Sequence, residues 1–134
     1  MRNTDRRRIA VTGMGLVSCL GNTLEAAGTA LRLGQSGIRH QPEYAELGFS
    51  SQVAGVPDLT GEPEIPRRLR RYMGDAAQYA WYAANQAVLQ AGLADTLLQS
   101  ARTGVVAGSG VGSPFIHVQA ADLLRRQGIN KGPP

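Results

Sequence analysis

The chain has 134 residues, 43% hydrophobic and 18% charged, with 14 Lys and Arg against 10 Asp and Glu. That balance suits one modest globular domain and excludes a disordered chain, while a lone cysteine, Cys19, excludes an intrachain disulfide framework and a cysteine zinc site. The net charge of +4 points to an acidic partner without saying whether that partner is protein or nucleic acid. No apolar run is long enough to cross a bilayer, and the basic start at Arg2, Arg6, Arg7 and Arg8 leads into a glycine-broken segment instead of a signal core. The expected compartment is a reducing cytoplasm, with no membrane partner.

The first expected element is a short buried strand, Ile9-Ala10-Val11-Thr12, running into Gly13-Met14-Gly15-Leu16-Val17-Ser18. Glycines at a strand end allow a tight turn or the close approach of another element. A helix follows over 23–33. Asn22 and Glu25 have capping-box spacing, Leu24, Ala27, Gly28 and Leu31 recur at helical intervals, and Gly34 suits a left-handed C-cap. From 38 to 66, prolines at 42, 57, 63 and 66 and glycines at 48, 55 and 61 predict a surface excursion with one short strand at 52–54. Asp75 opens a long alanine-rich helix, with Gln78 in the reciprocal capping position and Gly92 closing it. A helix with so many small apolar residues is expected to lie between layers, which demands more protein than this chain supplies. Thr103-Gly104-Val105-Val106 then repeats the plan of the first strand and enters the glycine loop Ala107-Gly108-Ser109-Gly110-Val111-Gly112-Ser113-Pro114. Two such strands imply an α/β sheet. The final Lys131-Gly132-Pro133-Pro134 reads as a turn and not as a domain edge, so residues 1–134 are expected to be the first part of a larger domain.

Taken in order, Arg8-Ile9-Ala10-Val11-Thr12-Gly13-Met14-Gly15-Leu16-Val17-Ser18-Cys19-Leu20-Gly21-Asn22, Leu33-Gly34-Gln35-Ser36-Gly37-Ile38, Arg71-Tyr72-Met73-Gly74-Asp75-Ala76, Ala91-Gly92-Leu93 and the glycine loop from Arg102 resemble the opening of the β-ketoacyl-acyl-carrier-protein synthases. The Gly-Ser-Pro ending of that loop is closer to the type I bacterial enzymes than to type II. The resemblance runs through nearly the whole chain from Arg8 but reaches only the first third or so of the family's length. It implies a thiolase-like fold of stacked helix, sheet, helix, sheet and helix layers, incomplete here, assembled as a homodimer or with a complementary chain. It also implies decarboxylative Claisen condensation of acyl and malonyl thioesters in fatty-acid or polyketide synthesis, through a cysteine nucleophile and two histidines. Those catalytic residues are expected beyond this stretch, so none is assigned here.

Cys19 sits in the first glycine turn with no basic activator in view and reads as a structural thiol. His40 and His117 read as packing or solvent residues. No metal or cofactor is expected. Gly13-x-Gly15-x-x-Ser18 lacks the third glycine, the immediate helix and the acidic residue of a dinucleotide fingerprint, and no P-loop is present. The cluster Arg67-Arg68-Leu69-Arg70-Arg71 reads either as a solvated basic run or as a docking patch. By the resemblance, Arg67, Arg68 and Arg71, with Arg125 and Lys131, meet the acidic acyl carrier protein, and Val111 helps shape the acyl pocket. Nucleic acid is disfavoured by the lack of a helix-turn-helix, zinc or stacking-aromatic signature. The alternative is a non-catalytic fragment, or an inactive synthase-like partner subunit, acting by protein–protein interaction.

Overall fold

The structure is a computed structural model, and it describes residues 8–128. A tight turn at 18–21 comes first: the Gly21 amide donates to the Ser18 carbonyl at 3.2 Å, and the Ser18 hydroxyl donates to the Gly21 carbonyl at 2.9 Å. The first helix, α1 (Leu24–Arg32), follows directly. Its cap is Thr23, whose hydroxyl accepts the Ala26 amide at 3.1 Å, and not Asn22. Asn22 instead sends its amide to the Asp58 carbonyl at 2.6 Å, so it ties the turn to the excursion. Gly34, at φ 63°, ends α1 as expected: the Gln35 amide reaches back to the Ala30 carbonyl at 2.9 Å and the Gly34 amide to the Leu31 carbonyl at 3.2 Å.

The excursion is more ordered than its prolines suggest. Strand β1 (Arg39–His40) pairs antiparallel with β2 (Val53–Ala54), Arg39 opposite Ala54, and the short helix α2 (Pro42–Glu46) lies between them. Pro42 opens α2, where its missing N–H costs nothing, and Tyr44 meets Phe49 edge to face at 5.4 Å. A four-residue helix, α3 (Arg67–Arg70), leads to the long α4 (Asp75–Ala91). The N-cap of α4 is Gly74. Asp75 occupies the first turn, where its charge suits the helix dipole, and the Gln78 side chain turns back to the Met73 carbonyl at 3.5 Å. Gly92, at φ 61°, closes α4. The short α5 (Asp95–Leu98) follows, then α6 (Pro114–Gln127), again with proline in its first turn. The sequence pattern predicts no helix after the glycine loop, where Pro114 reads as the loop's end, but proline is also a good helix opener.

The two expected strands, at 9–12 and 103–106, form no ladder among the described residues, whose one sheet is the β1–β2 ribbon. Parallel strands find their partners across long crossovers, and neither segment has a neighbouring strand here. Ile9 is 93% exposed and Val106 fully exposed, so these segments are not buried. The apolar residues buried among the described ones are Ala27, Ala30, Ile65 and Tyr82. The alanine-rich helix is therefore not sandwiched, and Ala77, Ala80 and Ala84 face solvent.

What organises the first segment is α4. A Cβ on Gly13 would overlap the Ala87 carbonyl and stand 2.9 Å from the Ala91 Cβ; one on Gly15 would overlap the Ala83 carbonyl and stand 2.8 Å from the Gln86 Cβ. The chain thus moves one helical turn along α4 between the two glycines, since two extended residues span about 7 Å and four helical residues about 6 Å. The amides of Met14 and Leu16 donate to the side-chain oxygens of Gln90 at 2.7 Å and Gln86 at 3.2 Å, and the Gln86 amide donates to the Asn22 carbonyl at 2.6 Å.

Replacing Gly15 by Ala is expected to destabilise the chain by about 1–3 kcal/mol through overpacking, whereas Gly104→Ala, where a Cβ meets nothing within 4 Å, stays within about 0.5 kcal/mol. Urea titration followed by the fluorescence of Trp81 on α4 checks this, and equal midpoints for the two variants contradict it. The exposed apolar segments are also expected to make the chain associate, so its mass by light scattering rises with concentration above 14.2 kDa. A cooperatively melting monomer at all concentrations contradicts that expectation.

Candidate functional site

The basic cluster is anchored on α4. The Tyr82 hydroxyl donates to the Pro63 carbonyl at 2.9 Å, Ile65 is buried, and Pro66 then serves as N-cap of α3, accepting the Leu69 and Arg70 amides at 2.8 and 3.0 Å. One turn of helix sorts the arginines by face. Arg67, Arg70 and Arg71, three and four residues apart, line one recess of about 390 Å3 together with Glu64 and Ile65. Arg68 is exposed and lies outside that recess. The Arg71 guanidinium lies over the Tyr72 ring, 4.4 Å from its centroid, and donates to the Tyr72 hydroxyl.

Of the arginines expected to act together, Arg67 and Arg71 share this recess and Arg68 does not. Arg70, part of the basic cluster but not among the positions that the resemblance implies, lines the recess as well. Arg125 lies near the end of α6, paired with Asp122 at 3.1 Å on an exposed surface, where such a pair contributes little. Lys131 lies outside the described residues.

The glycine loop lies against the first half of α4. A Cβ on Gly74 would overlap the Ser113 side chain and stand 3.2 Å from Ile116 Cγ1, so the α3–α4 junction abuts the loop's end. A shallow recess of about 510 Å3 opens between Ala76, Ala77 and Ala80 and the loop residues Gly108, Ser109 and Ser113. The Ser109 hydroxyl braces the loop by accepting the Gly112 amide at 3.0 Å. Val111 is not among the residues lining this recess and is 78% exposed.

Cys19 is half-buried and packs between two glycines. Cβ atoms on Gly37 and Gly55 would come within 2.7 and 2.8 Å of its sulfur. The recess of about 430 Å3 beside it is lined by Ser18, Asn22, Arg39 and Asp58 among others, and neither histidine. The Asp58 carboxyl is held below its usual value by hydrogen bonds from the Thr60 side chain and backbone, with Arg39 adding attraction. His40 lies on the ribbon, 3.4 Å from the Gln52 side-chain oxygen, and His117 is exposed on the first turn of α6. On α4, burial and the Asp75 charge raise the Tyr79 phenol above its usual value. Among the described residues no group of three or more His, Cys, Asp or Glu is arranged to hold a metal, and no helix is long and apolar enough to cross a membrane.

The family model for the "Beta-ketoacyl synthase, N-terminal domain" matches residues 6–132. The 3-oxoacyl-[acyl-carrier-protein] synthase 1 of Haemophilus influenzae is 40% identical over 119 residues, 89% of this chain and 29% of that protein. The Escherichia coli K12 synthase 1 is 39% identical over 120 residues, again 89% of this chain and 30% of the relative. The synthase 2 of Vibrio harveyi is 40% identical over 130 residues, 96% of this chain and 31% of the relative. Among solved structures, a β-ketoacyl synthase from Burkholderia phymatum STM815 superposes with a TM-score of 0.74 at 30% identity, covering 94% of this chain and 31% of that one. The chain thus spans under one third of the length of these relatives, and its architecture is the opening part of their thiolase-like α/β fold.

The packing around Cys19 predicts that it takes no acyl group from an acyl thioester: incubated with one, the intact chain keeps its mass. Stoichiometric acylation located at Cys19 contradicts the structural role.

Proposed function

Since the chain belongs to the β-ketoacyl synthase N-terminal domain family, we propose that it forms the N-terminal segment of a 3-oxoacyl-acyl-carrier-protein synthase, ahead of that enzyme's nucleophilic cysteine. The reaction is decarboxylative condensation in fatty-acid synthesis. An acyl group held as a thioester on the enzyme is attacked by the carbanion left when a malonyl thioester loses carbon dioxide; a carbon–carbon bond forms, and the carbon–sulfur bond to the enzyme breaks. Cys19, His40 and His117 take no part. The chain's own contribution is to receive the acidic acyl carrier protein at the arginines of α3 and to supply, with Val111 and the glycine loop, part of the wall of the acyl pocket. The complete enzyme works as a cytoplasmic homodimer, and the protein that covers the exposed 9–12 and 103–106 segments comes from further residues of the same fold or from a complementary chain.

The observation that supports this reading is the arginine face of α3, whose leading segment is tied by the Tyr82–Pro63 hydrogen bond to α4, the helix that the glycine loop abuts. Exposed arginines act on an acidic protein by steering encounter and by charge-assisted contacts, both weakened by salt.

In the synthase that carries this segment, reversing Arg67 and Arg68 together to Glu is expected to raise KM for carrier-bound substrate about tenfold, with a small thioester lacking the carrier turned over as before. Equal loss with both substrates, or no loss with either, contradicts carrier docking at these residues. Failure of that synthase to condense acyl and malonyl thioesters at all contradicts the proposed function.

A further inference from the structure

The backbone of Gly74 gives no reason for a glycine. Its φ of −79° is open to any residue, and as N-cap of α4 it forgoes the side-chain bond that a serine or aspartate would supply. Its neighbour gives the reason: a Cβ there would overlap both the hydroxyl and the Cβ of Ser113, and the latter is fixed to the main chain and cannot rotate aside. Ser113 is half-buried at the end of an exposed run, 101–112, and its side chain makes no capping bond to α6. The Gly74 carbonyl accepts the Gln78 amide and the Ser113 carbonyl the Ile116 amide, each at 3.0 Å, so the contact joins the starts of two helices. On its other side Ser113 ends a closed turn. The Ser109 hydroxyl accepts the Gly112 amide at 3.0 Å and ties residues 109–112 together with Val111 among them, while a Cβ at Gly108 or Gly110 would meet nothing within 4 Å. A turn held by its own bond, with open space around it, moves as a unit when its end is moved.

We infer that Gly74 and Ser113 are positioning residues for the acyl pocket: their contact sets how far the glycine loop stands from α4, and with it the place of Val111 in the pocket wall. This rests on the reading that Val111 and the loop form part of that wall, and it goes beyond that reading by making a residue at the start of α4 a determinant of acyl-chain length. Val111 is not among the residues lining the recess between the loop and α4. A methyl group on Gly74 therefore drives Ser113 off the start of α4 and carries Val111 outward, into space that an acyl tail would fill. The pocket shortens, and long primers lose more than short ones.

The test uses the synthase that carries this segment, supplied with hexanoyl and dodecanoyl groups on small thioesters so that carrier docking plays no part, and reads the long-to-short ratio of kcat/KM. Gly74→Ala is expected to lower that ratio about fivefold, within the range that a small size change in an apolar pocket commands. In the Ser113→Gly background, where the overlap is gone, the same change at Gly74 is expected to move the ratio by less than about twofold. Should Gly74→Ala not fold, Ser113→Thr, one methyl larger at the same contact, decides in its place: a lowered ratio supports the inference and an unchanged one overturns it. Equal loss at both lengths is plain destabilisation and overturns the positioning role, as does an unchanged or raised ratio, or the same shift in the Ser113→Gly background. Val111→Phe in the same assay separates the two readings. If it lowers the ratio while Gly74→Ala does not, the pocket wall stands and the positioning role falls; if neither variant lowers it, the pocket reading falls too.

Discussion

The structure depends on the contact between the first glycine segment and α4. At Gly13 and Gly15 the main chain lies so near the helix that a methyl group at either would collide with a backbone carbonyl of α4, and a helix carbonyl cannot move aside as a side chain can. Close approach alone would leave the segment's amides facing a helix whose own carbonyls are already bonded. Gln86 and Gln90, one turn apart, supply the missing acceptors, and Gln86 also reaches the Asn22 carbonyl. The Leu16 amide is part-buried and the Met14 amide exposed, so each bond adds about 0.5–1.5 kcal/mol, and the glycines and the glutamines act together. Without the glycines the segment cannot approach; without the glutamines its approach is unrewarded.

From this contact the candidate site inherits its position. The C-terminal half of α4 holds residues 13–16, its middle holds Pro63 through Tyr82, and its N-terminal half faces the glycine loop. Arginine face and loop are thus set relative to one another by the same rigid helix, with the Gly74–Ser113 contact closing the distance between them. The helix carries both registrations, and the segments on either side need little structure of their own.

Much of this was legible in the sequence because it is local. The Gly34 and Gly92 terminators, the strand at 52–54 and the long alanine-rich helix follow from spacing and conformational preference within a few residues. The caps stand one position from those expected, Thr23 for Asn22 and Gly74 for Asp75: at the first, two neighbouring polar residues compete and the tertiary bond from Asn22 to Asp58 decides, and at the second Asp75 lies inside the first turn behind a glycine with no side-chain cap. The glycines were expected to serve close packing, and at Gly13 and Gly15 they do. A Cβ at Gly108 or Gly110 meets nothing within 4 Å, so there the described residues give no such reason. What could not be read was long-range: which helix receives the glycine segment, that two glutamines far along the chain complete it, and that the arginines divide into a recess and an outlier. The strand character of 9–12 and 103–106 is equally non-local, since a strand needs another strand beside it.

Amide hydrogen exchange at Leu16 tests the central contact most directly. The account predicts that this amide exchanges markedly more slowly than that of Val105 in the exposed second segment, and that Gln86→Ala abolishes the difference while the amides within α4 keep their protection. Leu16 exchanging as fast as Val105 in the unaltered chain, or staying protected after Gln86 is removed, would contradict it.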